Sequence, residues 1–135
     1  MENIKTQKTE ALKLIKSGAY DEAIDFLQQV IAQDADDPDY HTFLGVAYCR
    51  KGDKLHSIAA FEESLRLDES PKAYYNLGLI YEEANRIEEA VRQYRMALEI
   101  NPDYAPALKA MEKFMKKDEP VEEGETEQET EKTSA

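Results

Sequence analysis

His41-Thr42-Phe43-Leu44-Gly45-Val46-Ala47-Tyr48 and Tyr74-Tyr75-Asn76-Leu77-Gly78-Leu79-Ile80-Tyr81 decide the fold of this chain. Both read (His or Tyr)-x-x-Leu-Gly-x-x-Tyr, and they start 33 residues apart. Downstream, Ser57-x-x-x-Phe61-x-x-Ser64-Leu65 returns as Ala90-x-x-x-Tyr94-x-x-Ala97-Leu98 at the same offset. Upstream, Ala23-x-x-x-Leu27-x-x-Val30-Ile31 fits the template at an offset of 34. Self-similarity at a fixed period of about 20–50 residues is the mark of a repeat architecture. The unit is 34 residues long, and one residue is missing between Leu67 and Pro71.

Within each unit the apolar residues recur at three- and four-residue steps, which makes a helical stripe and not the alternation of a strand. Gly18, Gly52 and Asn85 recur as turn residues. Asp37-Pro38 and Ser70-Pro71 each set a capping oxygen before a proline at the first helical position. Asp21 and Asp53 follow the turn glycines and are placed to cap the second helices. The pattern predicts helices near 4–16, 21–33, 38–51, 54–67, 71–84, 87–100 and 104–117.

The motif, closing on Asn101-Pro102, resembles the tetratricopeptide repeat. The unit from Pro71 to Tyr104 matches it best. The unit from Pro38 to Ser70 departs through Ser57 and Ser64 in place of Ala and Glu69 in place of the closing Pro. The first unit is weak in its first helix. The resemblance covers about residues 4–117 and implies an all-α, right-handed solenoid of three helix-turn-helix units (about 4–37, 38–70 and 71–104) with a capping helix over 105–117. Physical chemistry gives the pattern its own reason. Gly45 and Gly78 let the paired helix approach closely, Ala90, Ala97, Ser57 and Ser64 are the small counterparts, and Tyr48, Tyr81, Phe61 and Tyr94 fill the remaining space. At the ends, Gln7 and Glu10 stand where the later units have His41/Leu44 and Tyr74/Leu77; in the last helix Leu108, Met111 and Met115 keep the packing stripe while Glu112 replaces the glycine, so both ends are expected to be polar outward, as solenoid caps are.

Composition narrows the function. The net charge is −12. From Asp118 to Ala135 there are eight acidic residues and one Lys. This stretch has no aromatic residue, and Val121 is its one apolar side chain larger than Ala. It cannot bury enough surface to order itself, so 1–117 is expected to be the domain and 118–135 a disordered acidic tail. A chain this acidic repels phosphate backbones and anionic membranes, so neither nucleic acid nor membrane is an expected partner. No run approaches the roughly 18 apolar residues of a membrane helix, and the lysine-bearing N-terminus lacks the apolar core of a signal peptide. The single cysteine, Cys49, rules out an intrachain disulfide and fits a reducing compartment. The expected location is cytoplasmic.

Catalytic, cofactor and metal sites are not expected. His41 stands in the packing slot of Tyr74, and His56 falls on an exposed first turn. Cys49 has no histidine at helical spacing on its own face. Asp34, Asp36, Asp37 and Asp39 lack the glycine and closing glutamate of an EF-hand and suit caps and a solvated turn.

The resemblance implies that the first helix of each unit lines a concave face. The non-packing residues there are Lys8, Leu12, Ile15 and Lys16, then Thr42, Phe43, Val46, Cys49 and Arg50, then Lys72, Tyr75, Asn76, Leu79 and Glu82, with Lys109 and Lys113 continuing the line. Phe43, Val46 and Leu79 are either more core or an exposed floor. The packing slots of their helices are already filled by Leu44, Tyr48, Leu77 and Tyr81, which favours the floor, with a basic rim of Lys8, Lys16, Arg50 and Lys72. Some relatives in the family grip the C-terminal carboxylate of heat-shock chaperones with Lys, Asn, Asn, Lys and Arg. The matching positions are Lys8, Leu12, Phe43, Lys72 and Asn76, and only the two lysines fit, so this clamp is not expected. The expected partner is a protein segment with apolar anchors and some acidic character, bound by a non-catalytic adaptor. The alternative is a self-assembling scaffold, and the acidic tail is a further candidate occupant of the groove.

Overall fold

The computed structural model describes residues 4–122. Seven helices follow one another: α1 (Ile4–Lys16), α2 (Tyr20–Gln33), α3 (Pro38–Lys51), α4 (Lys54–Leu67), α5 (Pro71–Glu83), α6 (Ile87–Ile100) and α7 (Ala105–Glu122). Helix packs mainly on its neighbour in the chain, α1 on α2 through α6 on α7, with a further contact of α1 on α3. This is the one-dimensional stacking of a solenoid.

The turns explain where the helices stop. Gly18, Gly52 and Asn85 sit in the left-handed region at φ of +86°, +98° and +62°, the conformation that reverses a chain tightly after a helix. Asp37 accepts a hydrogen bond from Asp39 N at 3.0 Å, Asp53 from His56 N at 3.1 Å and Ser70 from Ala73 N at 3.2 Å, each at a helix N-cap. Asp21 does not cap: α2 starts at Tyr20, its N-cap is Ala19, and no side chain accepts a bond there. Asp21 instead lies inside the first turn and pairs with Lys51. The missing residue shortens the link between α4 and α5 to Asp68-Glu69-Ser70, against four residues at the other two such links. Glu69 in this link accepts a hydrogen bond from the Tyr74 hydroxyl.

The core follows the repeated small and large positions. A Cβ on Gly45 would lie 2.6 Å from the Phe61 ring, and one on Gly78 2.5 Å from the Tyr94 ring. The rings of α4 and α6 therefore stack directly on the backbones of α3 and α5. Ser57 and Ser64, the polar departures of the second unit, are buried and satisfied. Ser57 Oγ donates to the Gly45 carbonyl at 2.7 Å, and Ser64 Oγ lies 2.6 Å from Thr42 Oγ1. Burying a hydroxyl costs stability only when it lacks a partner. His41 is buried, and its Nε2 lies 3.1 Å from the Ala35 carbonyl oxygen.

The ends differ from expectation. Gln7 accepts a hydrogen bond from the Tyr40 hydroxyl at 3.2 Å and so faces α3. At the other end, Leu108 is 44 % and Met115 59 % exposed, so the last helix presents an apolar edge to solvent where a polar one was expected. Helix α7 also runs past Lys117 to Glu122; the rest of the expected acidic tail, from Glu123, lies outside the described residues.

Candidate functional site

Helices α3, α5 and α7 bring most of the expected groove residues to one face. A cleft of about 210 Å3 between α3 and α5 is lined by Thr42, Phe43, Lys72 and Asn76, with Asp39, Asp68 and Ser70 at its edge. A second, of about 120 Å3, is lined by Val46, Cys49, Leu79 and Glu83 and shares Asn76 with the first. A third, of about 410 Å3 between α5 and α7, is lined by Tyr75, Lys109, Glu112 and Lys113 and shares Leu79 with the second. The three clefts adjoin through these shared lining residues, Asn76 and Leu79. Leu79 is exposed, whereas Phe43, Val46 and Tyr75 are half-buried and form the channel floor while packing on the core.

Other expected residues are placed elsewhere. Ile15 is 3 % exposed and belongs to the core, because the α2 stripe covers that face of α1. Leu12 and Lys16 line a separate cleft on α1 with Thr9, Lys13 and Ser17. Arg50 is exposed at the end of α3 and lines none of these clefts. Thr42, although it lines the first cleft, turns its hydroxyl inward, 3.2 Å from the Pro38 carbonyl and against Ser64.

The rim carries both signs of charge. Lys8 Nζ lies 2.7 Å from Asp39 Oδ2 and 3.1 Å from Asp37 Oδ2, and 5.6 Å from the Tyr40 ring centroid. It joins α1 to the start of α3, and the hydrogen bond to Asp39 holds its pKa above the ordinary lysine value. Lys113 is bound to Glu82, which also accepts from the Tyr94 hydroxyl at 2.7 Å. The Cys49 thiol donates to Glu83 Oε1 at 3.3 Å. Burial, and then this bond, push its pKa up to about 11, so the thiol stays protonated at neutral pH and is a poor nucleophile. The acidic rim residues Asp39, Asp68, Glu83 and Glu112 were missed in the sequence. Glu83 was within reach of the same logic, standing four residues after Leu79 on one helical face.

His56 stacks on Tyr48, centroids 5.1 Å apart, with Nδ1 2.8 Å from Asp53 Oδ2, on the exposed start of α4. Among the described residues no group of three His, Cys, Asp or Glu is arranged to hold a metal ion, and no helix is long and apolar enough to cross a membrane.

Residues 11–52 match a family described as TPR repeat, and residues 38–71 and 71–104 each match one described as Tetratricopeptide repeat. The chain belongs to the tetratricopeptide-repeat family. Over 101 residues it is 30% identical to human Superkiller complex protein 3, a match covering 74% of the chain and 6% of that much longer protein. Among solved structures it is similar to the first TPR domain of human RPAP3, with a TM-score of 0.75, 27% identity, and coverage of 82% of the chain and 87% of that domain. It is similar as well to the first TPR of Spaghetti (RPAP3) bound to the HSP90 peptide SRMEEVD, with a TM-score of 0.74, 27% identity, and coverage of 83% and 90%.

Proposed function

We propose that this TPR domain is a non-catalytic, cytoplasmic binding module whose channel from Phe43 to Lys113 holds an extended or helical segment of a partner protein. The observation that carries this is the chain of three clefts joined through Asn76 and Leu79, apolar on the floor and charged on both rims. Grooves of this make-up take peptides by apolar anchors and set their register by charge. The likeness to a Spaghetti domain that binds an HSP90 peptide supports peptide binding as a class. The chaperone clamp is not part of the proposal. Leu12 and Phe43 stand where its asparagines would be, and Lys8 is already held by Asp37 and Asp39. Because Lys72 and Lys109 alternate with Asp39, Asp68, Glu83 and Glu112, the ligand is expected to carry charges of both signs. That makes the strongly acidic segment 118–135, with its single Lys132, a poorer occupant than a mixed-charge partner.

The test is affinity purification with wild type against Leu79→Glu, backed by isothermal titration with any partner segment recovered. Leu79 is exposed, so the variant is expected to keep its thermal midpoint and to lose partners by at least tenfold in affinity. Phe43→Glu would report the same channel but also disturbs the core that Phe43 packs on. An unchanged partner set with Leu79→Glu counts against the channel. Light scattering across concentration separates the self-assembling scaffold, which a strict monomer removes.

A further inference from the structure

The solenoid shows twice what fills the cleft between a second helix and the next first helix. At the first joint, Tyr48 on α3 lies against α2, and its hydroxyl accepts a hydrogen bond from Gln28 Nε2 at 3.2 Å. At the second, Tyr81 on α5 is buried against α4, and its hydroxyl donates to Glu62 Oε2 at 3.4 Å. Gln28, Glu62 and Arg95 occupy one template position, and Tyr48, Tyr81 and Met115 another. At the third joint that second position thus carries neither a ring nor a hydroxyl, although the Phe114 ring one residue earlier stacks on Tyr94. Met115 is 59 % exposed against 8 % for Tyr81, and a cleft of about 560 Å3 opens between α6 and α7. Its floor is Val91, Met111 and Phe114, Ile87 stands at its mouth, and Arg92 and Arg95 edge it with Glu88. No acidic side chain between Lys5 and Met115 lies within ion-pair distance of Arg95.

We infer that this α6–α7 cleft is a second binding site, which takes an aromatic side chain of a partner protein flanked by carboxylates. The ring would lie where Tyr48 and Tyr81 lie at the inner joints, and the carboxylates would meet Arg95 and Arg92. Aromatic side chains bury about 150–250 Å2 each, enough to anchor a peptide, and guanidinium–carboxylate pairs add direction. The fold and the segment that follows it do not offer this occupant. The segment from Glu123 to Ala135 has no aromatic residue, and among the described residues every Tyr and Phe is buried or half-buried, so a folded second copy presents no fully exposed ring. The inference does not rest on the channel about Leu79.

The test uses the full chain and an acetylated, amidated pentapeptide probe, one tyrosine between two pairs of glutamates, followed by fluorescence anisotropy and NMR. Amide and methyl shifts are expected at Val91, Arg95, Met111 and Met115. Replacing the tyrosine of the probe by alanine, or its glutamates by lysines, should weaken binding at least tenfold, as should Arg95→Glu with unchanged circular dichroism. Met115→Tyr should fill the cleft from within, abolish probe binding there and raise the thermal midpoint. Leu79→Glu should leave the probe affinity as it is. Binding that survives Met115→Tyr or loss of the tyrosine overturns the inference, as do shifts confined to the channel about Leu79, or no shifts at millimolar probe.

Discussion

A Cβ on Gly78 meets the Tyr94 ring, and one on Gly45 meets the Phe61 ring, yet the two sites should not respond equally. Tyr94 is fully buried, pinned at its hydroxyl by Glu82 and packed on Tyr75 and Phe114 at centroid distances of 5.9 and 6.4 Å. Phe61 is 5 % exposed and has no such anchor. Overpacking costs about 1–3 kcal/mol; Gly78→Ala is expected near the top of that range and Gly45→Ala near the bottom, read from urea midpoints. Cys49 gives a second check at this scale. With its pKa near 11, iodoacetamide should modify it far more slowly at pH 7.5 than a free thiol, and the rate should climb steadily above pH 9. A rate at pH 7.5 equal to that of a free cysteine would contradict the bond to Glu83.

At the scale of elements, the caps separate residues of similar appearance. Ser70 holds the first turn of α5 through Ala73 N, and its replacement by Ala should cost about 1 kcal/mol. Asp21 caps nothing. Its one ion pair, to Lys51, is exposed and screened by salt, so Asp21→Ala should be silent in 0.5 M NaCl when the two variants are compared by thermal melting. Equal losses would show that α2 has a capping interaction after all. The contrast comes from the spacing after the turn glycine: Asp53 follows Gly52 directly and stands before α4, whereas Asp21 follows Gly18 by three residues and lies inside a helix that starts at Tyr20.

For the whole molecule, the tyrosines tie stability to alkaline pH. Burial, then the bond to Glu82, drives the Tyr94 pKa well above the ordinary value, and the bond to Glu69, then burial, pushes Tyr74 up to about 12. In the unfolded chain these hydroxyls ionise near pH 10. Between that pH and the folded pKa the native state binds more protons than the unfolded state, so stability falls as pH rises. The stabilisation is complete below pH 10; it erodes above that, the Tyr74 share being lost towards pH 12 and the Tyr94 share at higher pH still. The thermal midpoint should be flat from pH 8 to 9.5 and drop steeply from 10 to 12, and Tyr94→Phe with Tyr74→Phe should flatten that drop. An unchanged slope in the double variant would contradict the two hydrogen bonds.

The repeat, the helices and the close contacts at Gly45 and Gly78 were legible in the residues themselves, because small and large side chains must alternate at fixed helical spacing wherever two helices touch. The turn residues Gly18, Gly52 and Asn85 were legible because few residues tolerate a positive φ. What the tertiary structure decided was partnership. Lys8 belongs to Asp37 and Asp39, Gln7 to Tyr40, and Ile15 to the core, because the angle between stacked units sets which neighbour a side chain reaches, and periodicity along one helix does not encode that angle. For the same reason a line of basic residues became a rim of both signs. The exposure of Met115 is likewise a matter of packing, since the third joint lacks the tyrosine that lies in each of the other two.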